Sequence, residues 1–373
     1  MKICAVETIP LRIPFSAPFT IAAPYEQKRD CVDALIVRIH TDDGLCGIGE
    51  TQAWRRQGSR EVLANLVYVV KEIFTPILLG RCPSDIAMIM HDLNAVLHNS
   101  LYAQAAIGDA LYDVVGKALN QPVYKLLGGR CRESIRVGLP LGATSSSPEM
   151  LDKAKRAFEQ GYRHLRVKIG LTAEQDLENI RVLREYFGDR VVLRADANGG
   201  MSYQQALPLL KNLERYNLDI VEQPLPLWDL DGSAELSRRI AIPISADESL
   251  TTKESLVEII KRRAASVIQT KIAKNGGIYY IRWLWAIAEA AGIAIFPGNH
   301  PSTSVATASV AHLCASWPGP LAVGDFQNGA CYMLLTDIVK SPIRVDKGYI
   351  KVPEGPGLGM ELDEDKVAQF RAA

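Results

Sequence analysis

His164-Leu165-Arg166-Val167-Lys168-Ile169 alternates strictly, with the apolar residues on one parity and His164, Arg166 and Lys168 on the other. Successive side chains of a strand point to opposite faces, so one parity meets a covering layer and the charged parity faces elsewhere. The texture repeats. Short apolar segments begin near 135, 164, 191, 218, 242, 266, 293 and 320, spaced 24 to 29 residues apart, with amphipathic helical patterns between them. That spacing is one strand-helix unit, and eight units predict an α/β fold, a parallel (β/α)8 TIM-type barrel with the charged parity on its axis. An open doubly wound sheet would need a glycine-rich phosphate turn after an early strand, and none is present. Gly355-Pro356-Gly357-Leu358-Gly359 follows the last unit and reads as a turn.

Upstream the texture differs. Alternating segments at 2–11, 32–40 and 44–49 predict three antiparallel strands, and helical patterns follow at 60–76, 84–98 and 101–119, closed by Gly128-Gly129. The chain of 373 residues is 48% hydrophobic, enough for a sizeable core, and its 42 Lys+Arg balance 42 Asp+Glu. Zero net charge without a basic block speaks against nucleic acid or an anionic membrane as partner. No apolar run reaches the ~18 residues of a membrane span, and the first residues lead into a strand rather than a signal peptide, so a cytoplasmic protein is expected. Seven scattered cysteines without a Cys-x-x-Cys pair predict reduced, mostly buried thiols, and six histidines without His-x-x-x-His spacing predict no histidine-built zinc site.

The barrel-like segments carry charges where they end, and a barrel places its active site at the C-terminal ends of its strands. Asp196, Glu222 and Asp247 close three consecutive segments, 26 and 25 residues apart. Any one of them is as well read as a salt-bridged strand-end charge. Together they converge, and like charges that close raise one another's pKa unless a cation lies between them. An all-oxygen donor set favours a hard ion, Mg2+ first and Mn2+ second. Lys168 and Lys271 close the second and sixth segments, on opposite sides of an eight-membered ring, so a substrate on the metal would have an amine near each face. The plainer reading of both is as ion-pair partners of the carboxylates. Arg166, inward-facing beside Lys168, is expected to lower the lysine's pKa.

At these residues the chain resembles the enolase superfamily, in particular its muconate lactonizing (muconate cycloisomerase) and mandelate racemase branches. The resemblance rests on Arg166-Val167-Lys168, Arg194-Ala195-Asp196-Ala197-Asn198, Val221-Glu222-Gln223-Pro224, Ala246-Asp247-Glu248-Ser249 and Lys271-Ile272-Ala273-Lys274-Asn275-Gly276-Gly277, in order and in register. It implies a capping domain over residues 1–128, completed by 340–373, that closes over a catalytic barrel spanning 129–339. It also implies Asp196, Glu222 and Asp247 as metal ligands, Lys168 and Lys271 as the acid/base pair, a small carboxylate as substrate and a homo-oligomeric assembly.

Lysine at 271, where mandelate racemases have an aspartate paired with a histidine, places the chain nearer the muconate lactonizing branch. Two departures stand out. The family's Lys-x-Lys is Arg166-x-Lys168 here, and Gly324-Asp325-Phe326 lacks the Asp-x-Asp with which dipeptide epimerases of this branch hold an ammonium group. Weaker candidates for substrate contact or support are Asn198, Glu248, His300, Asp325, Tyr25, Trp54 and Arg55, the last three in the segments Pro18–Arg29 and Thr51–Ser59 that take the place of the family's specificity loops. The expected function is a Mg2+-dependent isomerase that removes the proton α to a carboxylate through an enediolate, as a racemase, epimerase or cycloisomerase. An acid dehydratase is the alternative within the superfamily, and a non-catalytic binding barrel the alternative outside it.

Overall fold

The computed structural model describes residues 1–20, 28–53, 61–144, 146–324 and 333–372. Strands β1 (Ile3–Thr20), β2 (Lys28–Thr41) and β3 (Cys46–Gln52) form an antiparallel sheet in that order. β1 runs well beyond its predicted end, because its pairing with β2 continues to Pro14 and resumes after an irregularity at Phe19. Helices α1 (Leu63–Tyr68), α2 (Thr75–Leu78), α3 (Ile86–Val96), α4 (Leu101–Ala118) and α5 (Val123–Leu126) follow, with π-helical turns over Val69–Phe74 joining the first two.

The centre of this block is α4, buried along nearly its whole length. It lies so close to β3 that a Cβ on Gly49 would stand 2.0 Å from the carbonyl oxygen of Ala106, and one on Gly47 2.2 Å from that of Ala110. Only glycine permits that approach.

Next come β4 (Ser134–Arg136), β5 (Leu139–Leu141), α6 (Ser147–Glu159), β6 (His164–Lys168), α7 (Ala173–Phe187), β7 (Val192–Asp196), α8 (Tyr203–Leu213), β8 (Ile220–Glu222), α9 (Leu230–Arg239) and β9 (Ile244–Ala246). The chain continues with α10 (Lys253–Arg262), β10 (Val267–Gln269), α11 (Gly277–Ala290), β11 (Ala294–Phe296), α12 (Ser304–Ser316), β12 (Tyr349–Lys351) and α13 (Glu364–Gln369). Helices α7 to α10 start at side-chain caps: Thr172, Ser202, Asp229 and Thr252 accept from the backbone amides of Gln175, Gln205, Gly232 and Ser255. Each satisfies an amide that the first helical turn leaves without a partner.

β5 to β11 form one parallel sheet in sequence order. The first and last of the eight predicted units differ from expectation. The Ile135 segment lies in β4 and pairs antiparallel with β12 of the tail, and the barrel begins at β5 instead. Near 320 there is no eighth strand among the described residues. Even so, the amide of Ala322 donates to Ile295 of β11 and the carbonyl of Gly324 accepts from Gly138 beside β5, so residues 322–324 bridge the two sheet edges.

The C-terminal tail returns to the N-terminal block. The amide of Arg12 donates to Phe370, that of Ala372 to Pro10, and that of Leu358 to the Asp113 carboxylate of α4. The Gly355–Gly359 stretch is the expected turn, with Gly357 and Gly359 at φ +68° and +66°.

Two buried acids seat the N-terminal block on the barrel. Glu50 of β3 accepts from the amides of Thr303 and Ala306 at the start of α12, and Asp109 of α4 accepts from the amide of Ile278 at the start of α11. The six described cysteines are free, but only Cys314 is buried, so the expectation of mostly buried thiols fails. The others lie on strand edges and loops, where a small side chain packs without being covered. Among the described residues no helix is long and apolar enough to cross a membrane.

Candidate active site

The strand register decides which side chains meet. Lys168 of β6 is level with Asp196 of β7, and Asp196 with Glu222 of β8. Adjacent strands lie about 4.8 Å apart, so these three form one lateral row inside the barrel mouth. Glu222 is level with Ser245 rather than Asp247, which stands just beyond β9 on the following loop. Lys271 follows β10 in the same way, four strands from Lys168 in sheet order. In a ring of eight positions that separation is diametric.

Lys168, Lys271, Asp196, Glu222 and Asp247 are each no more than 2% exposed. Every carboxylate of the row meets cations. Lys168 pairs with Asp196 and donates to Oδ1 of Asn198 at 2.6 Å. Arg166 reaches Oε1 of Glu222 at 2.9 Å and Oδ2 of Asp196 at 3.1 Å, so it is a positive neighbour of Lys168 across a shared carboxylate. Arg194 holds the other oxygen of Glu222 at 2.9 Å and stacks over Phe296. Asp247 pairs with Lys271 and, at 2.8 Å, with Lys274. Asn198, at φ +48°, accepts from Lys168 and donates to Glu248 at 3.1 Å.

Burial pushes Glu222 up to about 7, with Asp196 and Asp247 adding to the shift and Arg166 and Arg194 opposing it. For Asp247 burial acts upward too, but Lys271 and Lys274 outweigh it and hold the carboxyl well below the ordinary range. Burial lowers Lys274, and Asp247 offsets part of that.

Among the described residues no set of three or more His, Cys, Asp or Glu side chains is arranged to hold a metal ion as the side chains stand. The reason lies in the pairs just given: each expected ligand is turned toward an ammonium or guanidinium group. The donor chemistry still fits a hard cation. Asp196 on the adjacent strand and Asp247 just beyond β9 raise the cost of ionising Glu222, a repulsion that a cation between the three relieves.

A cavity of about 540 Å3 abuts this cluster, with Glu248, Ser249, Lys274, Tyr102 and Leu227 in its wall. His300 is buried and its ring stacks on Tyr102 of α4, 6.0 Å between centroids, so it meets the N-terminal block. Tyr25, Trp54, Arg55 and Asp325 lie outside the described residues.

Sequence reasoning gave no role to Arg194, Gln223 or Asn275. Arg194 had a legible signal, the same inward parity as Asp196 two residues on. Gln223 and Asn275 had none, because most of their partners are backbone groups, several of them on another loop.

The family pattern described as "Mandelate racemase / muconate lactonizing enzyme, N-terminal domain" matches residues 5–128, and that described as "Enolase C-terminal domain-like" matches 149–366. An N-succinyl-L-Arg/Lys racemase of Bacillus cereus is 32% identical over 376 residues, covering 99% of this chain and 98% of that protein. Muconate cycloisomerase 1 of Rhodococcus opacus is 32% identical, covering 98% of each. The muconate lactonizing enzyme of Pseudomonas fluorescens, solved with muconolactone, superposes with a TM-score of 0.94 at 29% identity, covering 100% of this chain and 99% of that one.

Proposed function

Because the chain belongs to the mandelate racemase/muconate lactonizing enzyme family of the enolase superfamily, in which its relatives are isomerases, we propose that Lys168 and Lys271 exchange a proton at the carbon α to a substrate carboxylate. Racemisation or epimerisation is the first reading and cycloisomerisation the second. The observation that carries it is the placement of two buried amines four strands apart across one barrel mouth, each paired with one of the carboxylates.

Asp196, Glu222 and Asp247 would hold a divalent ion, Mg2+ before Mn2+. When bound, such an ion supplies positive charge that makes the α-proton of a carboxylate more acidic. The rest falls to the chain's own residues. Arg166, Lys168, Arg194, Lys271 and Lys274 outnumber the carboxylates Asp196, Glu222, Asp247 and Glu248, which suits an anionic substrate.

Lys168, oriented by Asn198, takes the proton from one face. Lys271, held beside Asp247, returns it on the other for a racemase, or stays a cationic partner for a cycloisomerase. Residues 1–128 with 340–373 form the cap and 129–339 the catalytic barrel. That division is supported by the backbone bonds between tail and N-terminal block. The relatives' names point to N-acylamino acids and muconates as substrates to try first. A cytoplasmic, homo-oligomeric enzyme belongs to the same proposal.

The test is deuterium incorporation from D2O into each enantiomer of N-succinylamino acids, with muconate in parallel. A racemase gains deuterium at the α-carbon of both enantiomers. Lys168→Ala should stop exchange for one enantiomer and Lys271→Ala for the other, with turnover reduced about 10²–10⁴-fold. Wild-type turnover in both variants refutes the assignment.

A further inference from the structure

The Asp247 carboxylate lies off the strand ladder. Pairing of β8 with β9 ends at Glu222 opposite Ser245, with one more backbone bond from the amide of Gln223 to Ser245. Beyond that point the amides of Asp247 and Ser249 find their acceptor in a side chain. Oε1 of Gln223 accepts from Asp247 N at 3.0 Å, Ser249 N at 3.1 Å and Ser249 Oγ at 3.0 Å. Its Nε2 donates to the carbonyl of Leu225 at 2.9 Å, which fixes the orientation of the carboxamide.

Gln223 pays for this with its backbone, at φ +39°, in the left-handed region that glycine and asparagine occupy far more readily. A glutamine there is explained by what its side chain reaches. The other end of the loop is fixed independently: Asn275 donates to the carbonyls of Leu250 and Thr251 and accepts from the amide of Lys271 at 2.8 Å.

From this geometry we infer that Gln223 is a positioning residue: its carboxamide sets the height and direction of Asp247 relative to Glu222, and so shapes the cation site. The inference rests on the cation reading above. Groups that orient ligands in this way change metal affinity about 10–100-fold when removed.

The test is titration of the full-length protein with Mn2+, followed by loss of the free-ion EPR signal, with melting temperature in EDTA as a second readout. Gln223→Gly suits the left-handed backbone but leaves the two amides and the Ser249 hydroxyl without their acceptor. It should bind Mn2+ about 10–100-fold more weakly; the three stranded buried donors also lower its melting temperature in EDTA, so the affinity is read at a temperature where it is fully folded. Gln223→Glu, held protonated by burial and by the neighbouring carboxylates, keeps an accepting oxygen and a donor toward Leu225 and should bind close to wild type. If the glycine variant does not fold, Gln223→Asn takes its place with the same expectation, since it tolerates the same φ but is one methylene too short.

Wild-type affinity in the glycine or asparagine variant overturns the inference, as does an equal loss in the glutamate variant. A wild-type protein that binds no Mn2+ overturns the cation reading itself, and this inference with it.

Discussion

Asp109→Asn should change how the stability of the protein depends on pH. Asp109 sits in the middle of the buried helix α4, with Oδ1 2.9 Å from the amide of Ile278, and burial pushes its pKa from 3.8 up to about 7. The native state therefore keeps this proton up to about pH 7, whereas the unfolded chain releases it near pH 4. Between those values the native state binds more protons, so the free energy of unfolding falls as pH rises, and above pH 7 the contribution is constant. At about 1.4 kcal/mol per pKa unit, the shift corresponds to about 4 kcal/mol across the whole window, and to about 3 kcal/mol between pH 5 and 8.

Asparagine keeps the accepting oxygen for Ile278 and does not titrate. Its stability relative to wild type should thus improve by about 3 kcal/mol as pH is raised from 5 to 8. Guanidinium unfolding curves of both proteins at pH 5, 6, 7 and 8 give that difference directly. A difference that stays constant within ~0.5 kcal/mol would show that Asp109 is ionised across the range and would refute the reasoning.

Gly49→Ala brings a Cβ to 2.0 Å from the Ala106 carbonyl oxygen, and because that atom is helix backbone the cost should reach at least about 1–3 kcal/mol, read as a lower denaturation midpoint. Glu50→Ala strands the amides of Thr303 and Ala306 and should destabilise by about 3 kcal/mol or more, whereas Glu50→Gln keeps an acceptor for only one of the two amides and should recover only part of that loss. Exhaustive EDTA treatment should abolish turnover and leave the far-UV circular dichroism unchanged; full activity after chelation would count against the cation at Asp196, Glu222 and Asp247.

The amino-acid sequence by itself determined the repeat of strand and helix, the inward parity of Arg166, Lys168, Arg194 and Asp196, and the convergence of three strand-end carboxylates. These follow from the period-two geometry of strands and the closed order of a barrel, which local pattern encodes. The tertiary structure alone decided where the barrel starts and how it closes. Ile135-Arg136-Val137 alternates just as a barrel strand does, yet β4 pairs with Tyr349–Lys351, a partner more than 200 residues away that no local signal announces. It also decided which charges pair. At the site, five buried cations and four buried carboxylates admit many pairings, and only the row of Lys168, Asp196 and Glu222, with Asp247 raised onto its loop, selects the observed one. Asp109 and Asp113 were visible as acids four apart within an apolar helix. The pairing of Asp113 with Lys117 one turn on is legible in that spacing, but what the two acids hold across the fold, the start of α11 and the turn at Leu358, is backbone and leaves no complementary residue type in the sequence to betray it.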